Sequence, residues 1–217
     1  KYLAAGTDNS TIPIWSMEDG SPIVELIGHQ YRVTSVVFLD DTVLASASEN
    51  GTIRLWEIPE GNEIAILPGQ AAGVLNLAYS LGGSTFAAGR ADGSIQVWSI
   101  AERRTIYQLE GHTGRIFSIA LNPAGDLLAS TASDGLRLWK LGDAEGEMVG
   151  FLEGHGGPAE SLVFAPDGVT LFSGGTTDGT VRAWDVDSRS ETGIVDQFSM
   201  RVLSSALSPD GKMLVHR

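Results

Sequence analysis

Thr52-Ile53-Arg54-Leu55-Trp56 is a phrase that this chain writes five times. It occurs first as Thr11-Ile12-Pro13-Ile14-Trp15. It returns as Ser94-Ile95-Gln96-Val97-Trp98, Gly135-Leu136-Arg137-Leu138-Trp139 and Thr180-Val181-Arg182-Ala183-Trp184. The tryptophans stand 41, 42, 41 and 45 residues apart. A fixed period of this length marks one supersecondary unit repeated along the chain. Such a unit buries its apolar faces only by stacking on its neighbours. Within the phrase, polar and apolar positions alternate, so Ile53 and Leu55 share one face of a strand while Arg54 and Trp56 share the other.

Working outward from residues 52–56, Glu49-Asn50-Gly51 is a tight hairpin turn. Val43 to Ser48 reads as a second strand of small residues, and Arg32 to Leu39 as a first strand rich in β-branched and aromatic residues. Downstream, Glu60-Gly61-Asn62 turns the chain into a fourth strand, Glu63 to Leu67. The pattern recurs. First strands are expected over 115–121, 160–165 and 201–207, followed by Pro123-Ala124-Gly125, Pro166-Asp167-Gly168 and Pro209-Asp210-Gly211. Hairpin turns are expected at Asp92-Gly93, Asp134-Gly135 and Asp178-Gly179. Repeated four-stranded meanders make an all-β chain, a β-propeller of four-stranded antiparallel blades, with about five blades visible.

Composition agrees. With 27 Gly and 8 Pro in 217 residues, short strands and frequent turns are expected instead of long helices. No apolar run approaches the roughly 18–20 residues of a membrane helix, so no membrane insertion is expected. The net charge of −13 repels nucleic acid, and none is expected as a partner. The chain lacks cysteine, which removes disulfides and thiolate metal sites. It leaves the compartment of this soluble chain open between cytoplasmic and secreted. The chain opens on Lys1, not Met, so its start is expected to be a processed or truncated end.

Two further signatures carry a family resemblance. Gly28-His29, Gly111-His112 and Gly154-His155 recur ahead of the first strands, with Gly69-Gln70 as the departure. The third strand closes as Trp184-Asp185, although elsewhere the tryptophan is followed by Ser16, Glu57, Ser99 or Lys140. Over essentially its whole length the chain resembles the WD40 repeat family. That resemblance implies a network linking the histidine, a second-strand Ser or Thr, the hairpin aspartate and the tryptophan indole, which can donate to the aspartate. By position the members are His112, Ser130, Asp134 and Trp139 in one blade, and His155, Ser173, Asp178 and Trp184 in the next. A third set is His29, Ser46 and Trp56, with Asn50 in place of the aspartate. The blade of Gln70 has Ala88 in the serine position and keeps Asp92 and Trp98. A Ser, a His and an Asp in one blade invite a hydrolase reading. Because the trio recurs beside a tryptophan, it reads instead as structural satisfaction of polar groups. No catalytic residue, metal site or cofactor is expected. The four histidines have no metal-ligand spacing.

Residues 1–217 read as one partial WD40 propeller that begins and ends within a blade, since 2–6 and 212–216 both read as second strands. Two closures stand open. The blades form part of a larger ring, seven being the number the resemblance implies, or residues 201–207 complete a five-bladed ring. Open propeller edges would favour self-association.

Whatever all blades share is scaffold, so function is sought where they differ. The residue before each first strand's leading apolar position is Arg32, Gly73, Arg115, Pro158 and Arg201. Together with Arg90 on the hairpin, and with Tyr31 and Met200 beside this register, these arginines are the expected partner-binding face. Arginine suits carboxylates and other planar anions. Arg54, Arg137 and Arg182 are expected to be packed stems whose charge snorkels to solvent. The insertion from Asp143 to Glu147 reads as a solvated tip. The function expected is a non-catalytic protein–protein interaction scaffold that presents its rim or central channel to another protein or an acidic peptide. The alternative is a structural subunit of a larger extracellular or filamentous assembly.

Overall fold

The computed structural model describes residues 1–67, 72–80, 84–142 and 146–217. The Gly69-Gln70 departure and residues 143–145 of the acidic insertion lie outside the described residues. Strands and turns account for the described chain, and no helix occurs among them. Blade 1 holds β1 (Tyr2–Ala4), β2 (Thr11–Ser16) and β3 (Pro22–Ile27). Blade 2 holds β4 (Val33–Phe38), β5 (Val43–Ser48), β6 (Ile53–Glu57) and β7 (Glu63–Leu67). Blade 3 holds β8 (Val74–Tyr79), β9 (Thr85–Arg90), β10 (Ile95–Ser99) and β11 (Arg104–Leu109). Blade 4 holds β12 (Ser118–Leu121), β13 (Leu127–Ala132), β14 (Gly135–Leu141) and β15 (Gly146–Leu152). Blade 5 holds β16 (Ala159–Phe164), β17 (Thr170–Gly175), β18 (Thr180–Asp185) and β19 (Ser190–Gln197). Blade 6 holds β20 (Ser205–Leu207) and β21 (Leu214–His216). Each sheet is an antiparallel meander in which neighbours in sequence are neighbours in space.

The second and fourth strands of blade 2 fall where the alternation places them. The first strands of blades 4 and 6 are shorter than expected, beginning at Ser118 and Ser205. The leading apolar residue of each makes a hydrogen bond that leaves the sheet. Ile116 N–H donates to Arg90 O of blade 3 at 3.0 Å, and Val202 N–H donates to Gly175 O of blade 5 at 3.2 Å. Val33 N–H does the same to Thr7 O at 3.1 Å. The leading residue of an inner strand thus bonds backward to the preceding blade.

The core lies between blades. Leu26 of blade 1 packs with Leu44 and Trp56 of blade 2. Leu67 of blade 2 packs with Phe86 and Trp98 of blade 3. Leu109 of blade 3 packs with Leu128 and Trp139 of blade 4, and Leu152 of blade 4 with Leu171 and Trp184 of blade 5. A leucine near the end of the outer strand in blades 1 to 4 is therefore the plug against the next blade's tryptophan. This is the burial that an isolated four-stranded sheet lacks.

The inner strands are stitched by short polar side chains. Thr34 Oγ1 donates to Val74 O at 2.6 Å, and Ser35 Oγ accepts the Leu77 N–H at 3.0 Å. Asn76 Nδ2 donates to Phe117 O at 2.9 Å, and Ser118 Oγ accepts the Leu162 N–H at 3.2 Å. The hydroxyls of Ser161 and Ser205 are 2.7 Å apart.

Leu128 is fully buried at the junction of blades 3 and 4. Leu128→Ala is expected to cost about 2–5 kcal/mol. Because the cavity opens between blades, urea unfolding should shift as one transition that carries both blades. Loss of blade 4 alone would show that the blades are energetically separate.

Candidate functional site

The hairpin ends of blades 4 and 5 carry the same chain of hydrogen bonds. In blade 4, Trp139 Nε1 donates to Ser130 Oγ at 2.7 Å, and His112 Nε2 lies 2.7 Å from the same oxygen. A serine hydroxyl has one proton. Asp134 only accepts, so the neutral imidazole carries its hydrogen on Nδ1, and Nε2 is left to accept the serine proton. Nδ1 then donates to Asp134 Oδ1 at 2.5 Å. Asp134 Oδ2 accepts the Thr113 N–H and Arg137 Nη2, both at 2.9 Å. Blade 5 repeats the series with Trp184 to Ser173 at 2.7 Å, Ser173 to His155 at 2.6 Å and His155 to Asp178 at 3.1 Å.

Three expectations are corrected here. The tryptophan donates to the serine, not to the aspartate, because the serine sits beside the indole and the aspartate lies beyond the imidazole at the hairpin tip. In blade 2, Trp56 and His29 meet Ser46 at 2.8 and 2.7 Å, but Asn50 does not touch His29. Asn50 Oδ1 is occupied by the Thr52 hydroxyl at 2.8 Å, and Thr52 Oγ1 in turn faces His29 Nδ1 at 3.3 Å. The arginine two residues before tryptophan does not send its charge to solvent. The side chains of Arg54, Arg137 and Arg182 are 16%, 12% and 14% exposed. Arg54 pairs with Glu63, and Arg182 with Glu191 and Asp178. Arg137 pairs with Asp134, its guanidinium 5.1 Å from the Phe151 ring centroid. Sequence reasoning missed these pairs. Their signal is an acid nine residues after the arginine, across the next turn, at Glu63 and Glu191.

The glycine of each Gly-His pair is explained by the same cluster. A Cβ on Gly111 would lie 2.6 Å from Arg137 Nη1, and one on Gly154 would lie 2.9 Å from the Trp184 ring. Only a residue without a side chain lets the loop close over the indole and guanidinium. Ser46, Ser130 and Ser173 are fully buried, so the serine hydroxyls of these networks do not face solvent.

Burial is the largest influence on the imidazoles and disfavours their charged form. It lowers His29 from 6.5 to about 4 and lowers His112 and His155 as well, against the pull of Asp134 and Asp178. Burial would raise Asp134. Hydrogen bonds from His112 and the Thr113 N–H, with the charges of His112 and Arg137, outweigh it and bring the carboxyl to about 2.

Blade 3 departs from the pattern. Ala88 supplies no hydroxyl, and the buried Trp98 Nε1 has no partner among the described residues. Phe86 stacks on Trp98 at 5.2 Å. Arg90 is fully buried, and its guanidinium donates to Ala72 O at 2.9 Å and to Gln96. Arg90 therefore does not belong to the expected face. With Gln96 where blades 2, 4 and 5 place arginine, and Ala88 where they place serine, the interior of blade 3 takes up its side chain.

The other members of that face lie at the surface. Tyr31 is 51% and Met200 77% exposed. Arg32, Arg115 and Arg201 stand before the buried residues Val33, Ile116 and Val202 in blades 2, 4 and 6, with Gly73 and Pro158 between them. Arg32 pairs with Asp8 at 2.9 Å, and Arg201 with Glu160 at 3.2 Å. The guanidinium of Arg115 lies 5.2 Å from the Phe117 ring centroid.

Residues 20–57, 61–99, 103–140 and 146–185 each match the WD domain, G-beta repeat family, covering most of the chain. The chain belongs to the WD40 repeat family. It is also similar to two Periodic tryptophan protein 2 homologs. The one from Neurospora crassa is 37% identical over 75 residues, and the one from Schizosaccharomyces pombe 43% over 77. Each match covers 35% of this chain and spans 8% of the relative's length. WD40 repeats generally mediate protein–protein interaction, and propellers built from them are generally non-catalytic.

Two outcomes test the network. Ser130→Ala leaves both Trp139 Nε1 and His112 Nε2 without their partner and is expected to cost about 2–4 kcal/mol by urea unfolding. Ala88→Ser, which offers Trp98 an acceptor, should stabilise by about 1 kcal/mol. The pH dependence follows from the imidazoles. The unfolded chain takes up a proton near 6.5, whereas folded His29 does so only near 4, so the unfolded state binds more protons between these values. Stability is therefore expected to be level just above pH 6.5 and to fall as pH drops toward 4. A melting temperature that is flat over this interval would show that the imidazoles titrate alike in both states.

Proposed function

We propose that this chain is a non-catalytic scaffold that binds another protein, and that the face carrying Arg32, Arg115 and Arg201 with Tyr31 and Met200 recognises an acidic segment of it. One observation carries the reading. The polar side chains common to the blades are consumed internally, so the surface available for recognition is made of residues the blades do not share. Among these, Arg115 has no carboxylate partner among the described residues and lies against Phe117. The pair Arg32–Asp8 is between exposed groups, and in Arg201–Glu160 the arginine is exposed and the Glu160 side chain mostly covered. Exposed pairs are worth little, so exchanging Asp8 for a partner's carboxylate costs little. Tyr31 and Met200 add apolar contact area beside the charges.

The charge balance of −13 disfavours nucleic acid as the partner. Among the described residues no helix is long and apolar enough to cross a membrane. Residues 1–217 serve in this reading as one continuous WD40 array.

The test is binding of a fluorescein-labelled poly-glutamate peptide with one leucine, read by polarisation. The triple variant Arg32→Glu, Arg115→Glu, Arg201→Glu should weaken binding at least tenfold, with its far-UV spectrum unchanged. Unchanged binding sinks the arginine face. Light scattering that shows concentration-dependent self-association, insensitive to the triple variant, would favour the structural-assembly alternative.

A further inference from the structure

One hairpin holds an amide where its counterparts hold a carboxylate. Asn50-Gly51 of blade 2 stands where blades 3, 4 and 5 place Asp92-Gly93, Asp134-Gly135 and Asp178-Gly179. Blade 2 otherwise shares the network of blade 5. It has the same histidine, serine and tryptophan, Thr52 for Thr180 beside the imidazole, and Arg54–Glu63 for Arg182–Glu191. The blade 5 hairpin is longer by one residue, whereas that of blade 3 has the length of blade 2's.

The neighbouring blades show what a carboxylate does in this place. In blade 3, Asp92 Oδ1 accepts the Ser94 N–H and hydroxyl at 3.0 and 2.6 Å. Asn50 Oδ1 accepts those of Thr52 in the same way, at 3.2 and 2.8 Å, so a carboxylate fits this turn. In blades 4 and 5 the carboxylate also takes the N–H that follows the histidine, from Thr113 and Gly156, each at 2.9 Å. The matching N–H in blade 2 belongs to Gln30, and it forms no hydrogen bond among the described residues. The amide explains the difference. With Oδ1 committed to Thr52, the remaining polar atom of Asn50 is Nδ2, which only donates. It receives neither the Gln30 N–H nor a proton from His29 Nδ1.

Asparagine followed by glycine is also the arrangement most open to attack by its own backbone, because glycine puts no side chain beside the incoming nitrogen. The other asparagines of this chain precede Ser10, Glu63, Leu77 and Pro123. In the reaction the Gly51 nitrogen bonds to Asn50 Cγ, the Cγ–Nδ2 bond breaks, and Nδ2 leaves as ammonia with the Gly51 proton. Water then opens the cyclic imide at Cγ, which restores the Gly51 peptide and leaves aspartate at position 50. Opening at the other carbonyl gives isoaspartate. Water is the sole co-reactant. The two Thr52 donors hold and polarise the Asn50 carbonyl, while the departing Nδ2 is unheld among the described residues. The Gly51 N–H donates to Ser48 O at 3.0 Å, so attack waits on opening of the hairpin tip.

We propose that Asn50 is a modification site at which the chain deamidates without an enzyme, and that the aspartate so formed completes the hydrogen-bond network of blade 2. One carboxylate oxygen keeps Thr52, and the other takes the Gln30 N–H and faces His29 Nδ1, as in blade 5. The hairpin is already tied to the loop that carries Tyr31 and Arg32. Glu49 N–H donates to Arg32 O at 3.2 Å, and Ser48 Oγ donates to Tyr31 O at 3.1 Å. The bond to Gln30 fastens the start of the same loop and adds a negative charge beside it. None of this depends on what that loop binds.

The experiment incubates the folded 217-residue chain in mildly alkaline buffer and maps its five asparagines by peptide mass spectrometry. Asn50 is expected to exchange NH2 for OH at least tenfold faster than the exposed Asn9. Fragmentation at the N–Cα bond separates aspartate from isoaspartate. Aspartate should take the larger share in the folded chain, because isoaspartate lengthens the backbone of a hairpin bonded across its tip. Asn50→Gln, whose longer side chain closes a larger ring, should show no conversion at that position. Asn50→Asp should raise the melting temperature and slow hydrogen exchange of the Gln30 amide at least tenfold. The proposal is overturned if Asn50 converts no faster than Asn9, or if isoaspartate is the sole product. It is overturned as well if Asn50→Asp fails to raise the melting temperature or leaves Gln30 exchange unchanged.

Discussion

A tryptophan indole buried between two sheets has one N–H to satisfy where solvent does not reach, and most of the blade architecture follows from how it does so. In blades 2, 4 and 5 the acceptor is a serine on the neighbouring strand. That choice propagates. The serine gives its own proton to histidine Nε2, and the imidazole's proton, on Nδ1, points at the hairpin. There an aspartate, or Thr52 in blade 2, receives it. The residue before the histidine must be glycine for the loop to lie on the indole. One hydrogen bond thus ties the loop that leads into a blade to its second strand, hairpin and third strand.

Blade 3 shows what happens when the acceptor is missing. Ala88 leaves the Trp98 N–H without a partner among the described residues, and the interior takes in Phe86 and the whole of Arg90. A buried guanidinium needs hydrogen-bond acceptors, and Ala72 and Gln96 supply them. Loss of serine in this blade goes with arginine on the second strand and glutamine on the third. The polar interior of a blade changes as a set because each member satisfies another.

The same accounting separates scaffold from surface. Serine, histidine and aspartate gathered together resemble catalytic equipment, yet here each is closed in by its partners. The proposed recognition residues are asymmetric, arginines before the inner strands of alternate blades. The general role of WD40 repeats in binding proteins suits a fold whose repeating polar groups are spent on its own stability.

The amino-acid sequence by itself determined the all-β meander, its period, the hairpin turns, and the His, Ser, Asp and Trp positions of the networks. These are written locally, in the alternation of residues 52–56, in Asp-Gly turns, and in a spacing that repeats. Tertiary structure alone decided the direction of the tryptophan's hydrogen bond, the displacement of Asn50 by Thr52, the burial of Arg90 and the sheltered pairing of Arg54, Arg137 and Arg182. It also decided that Ile116 and Val202 bond backward to the preceding blade. The physical reason is the same in each case. Periodicity reports which face of a strand a residue lies on, but the partner of a buried polar group is chosen by distance. In a stacked array the nearest acceptor is often one hairpin or a whole blade away in sequence.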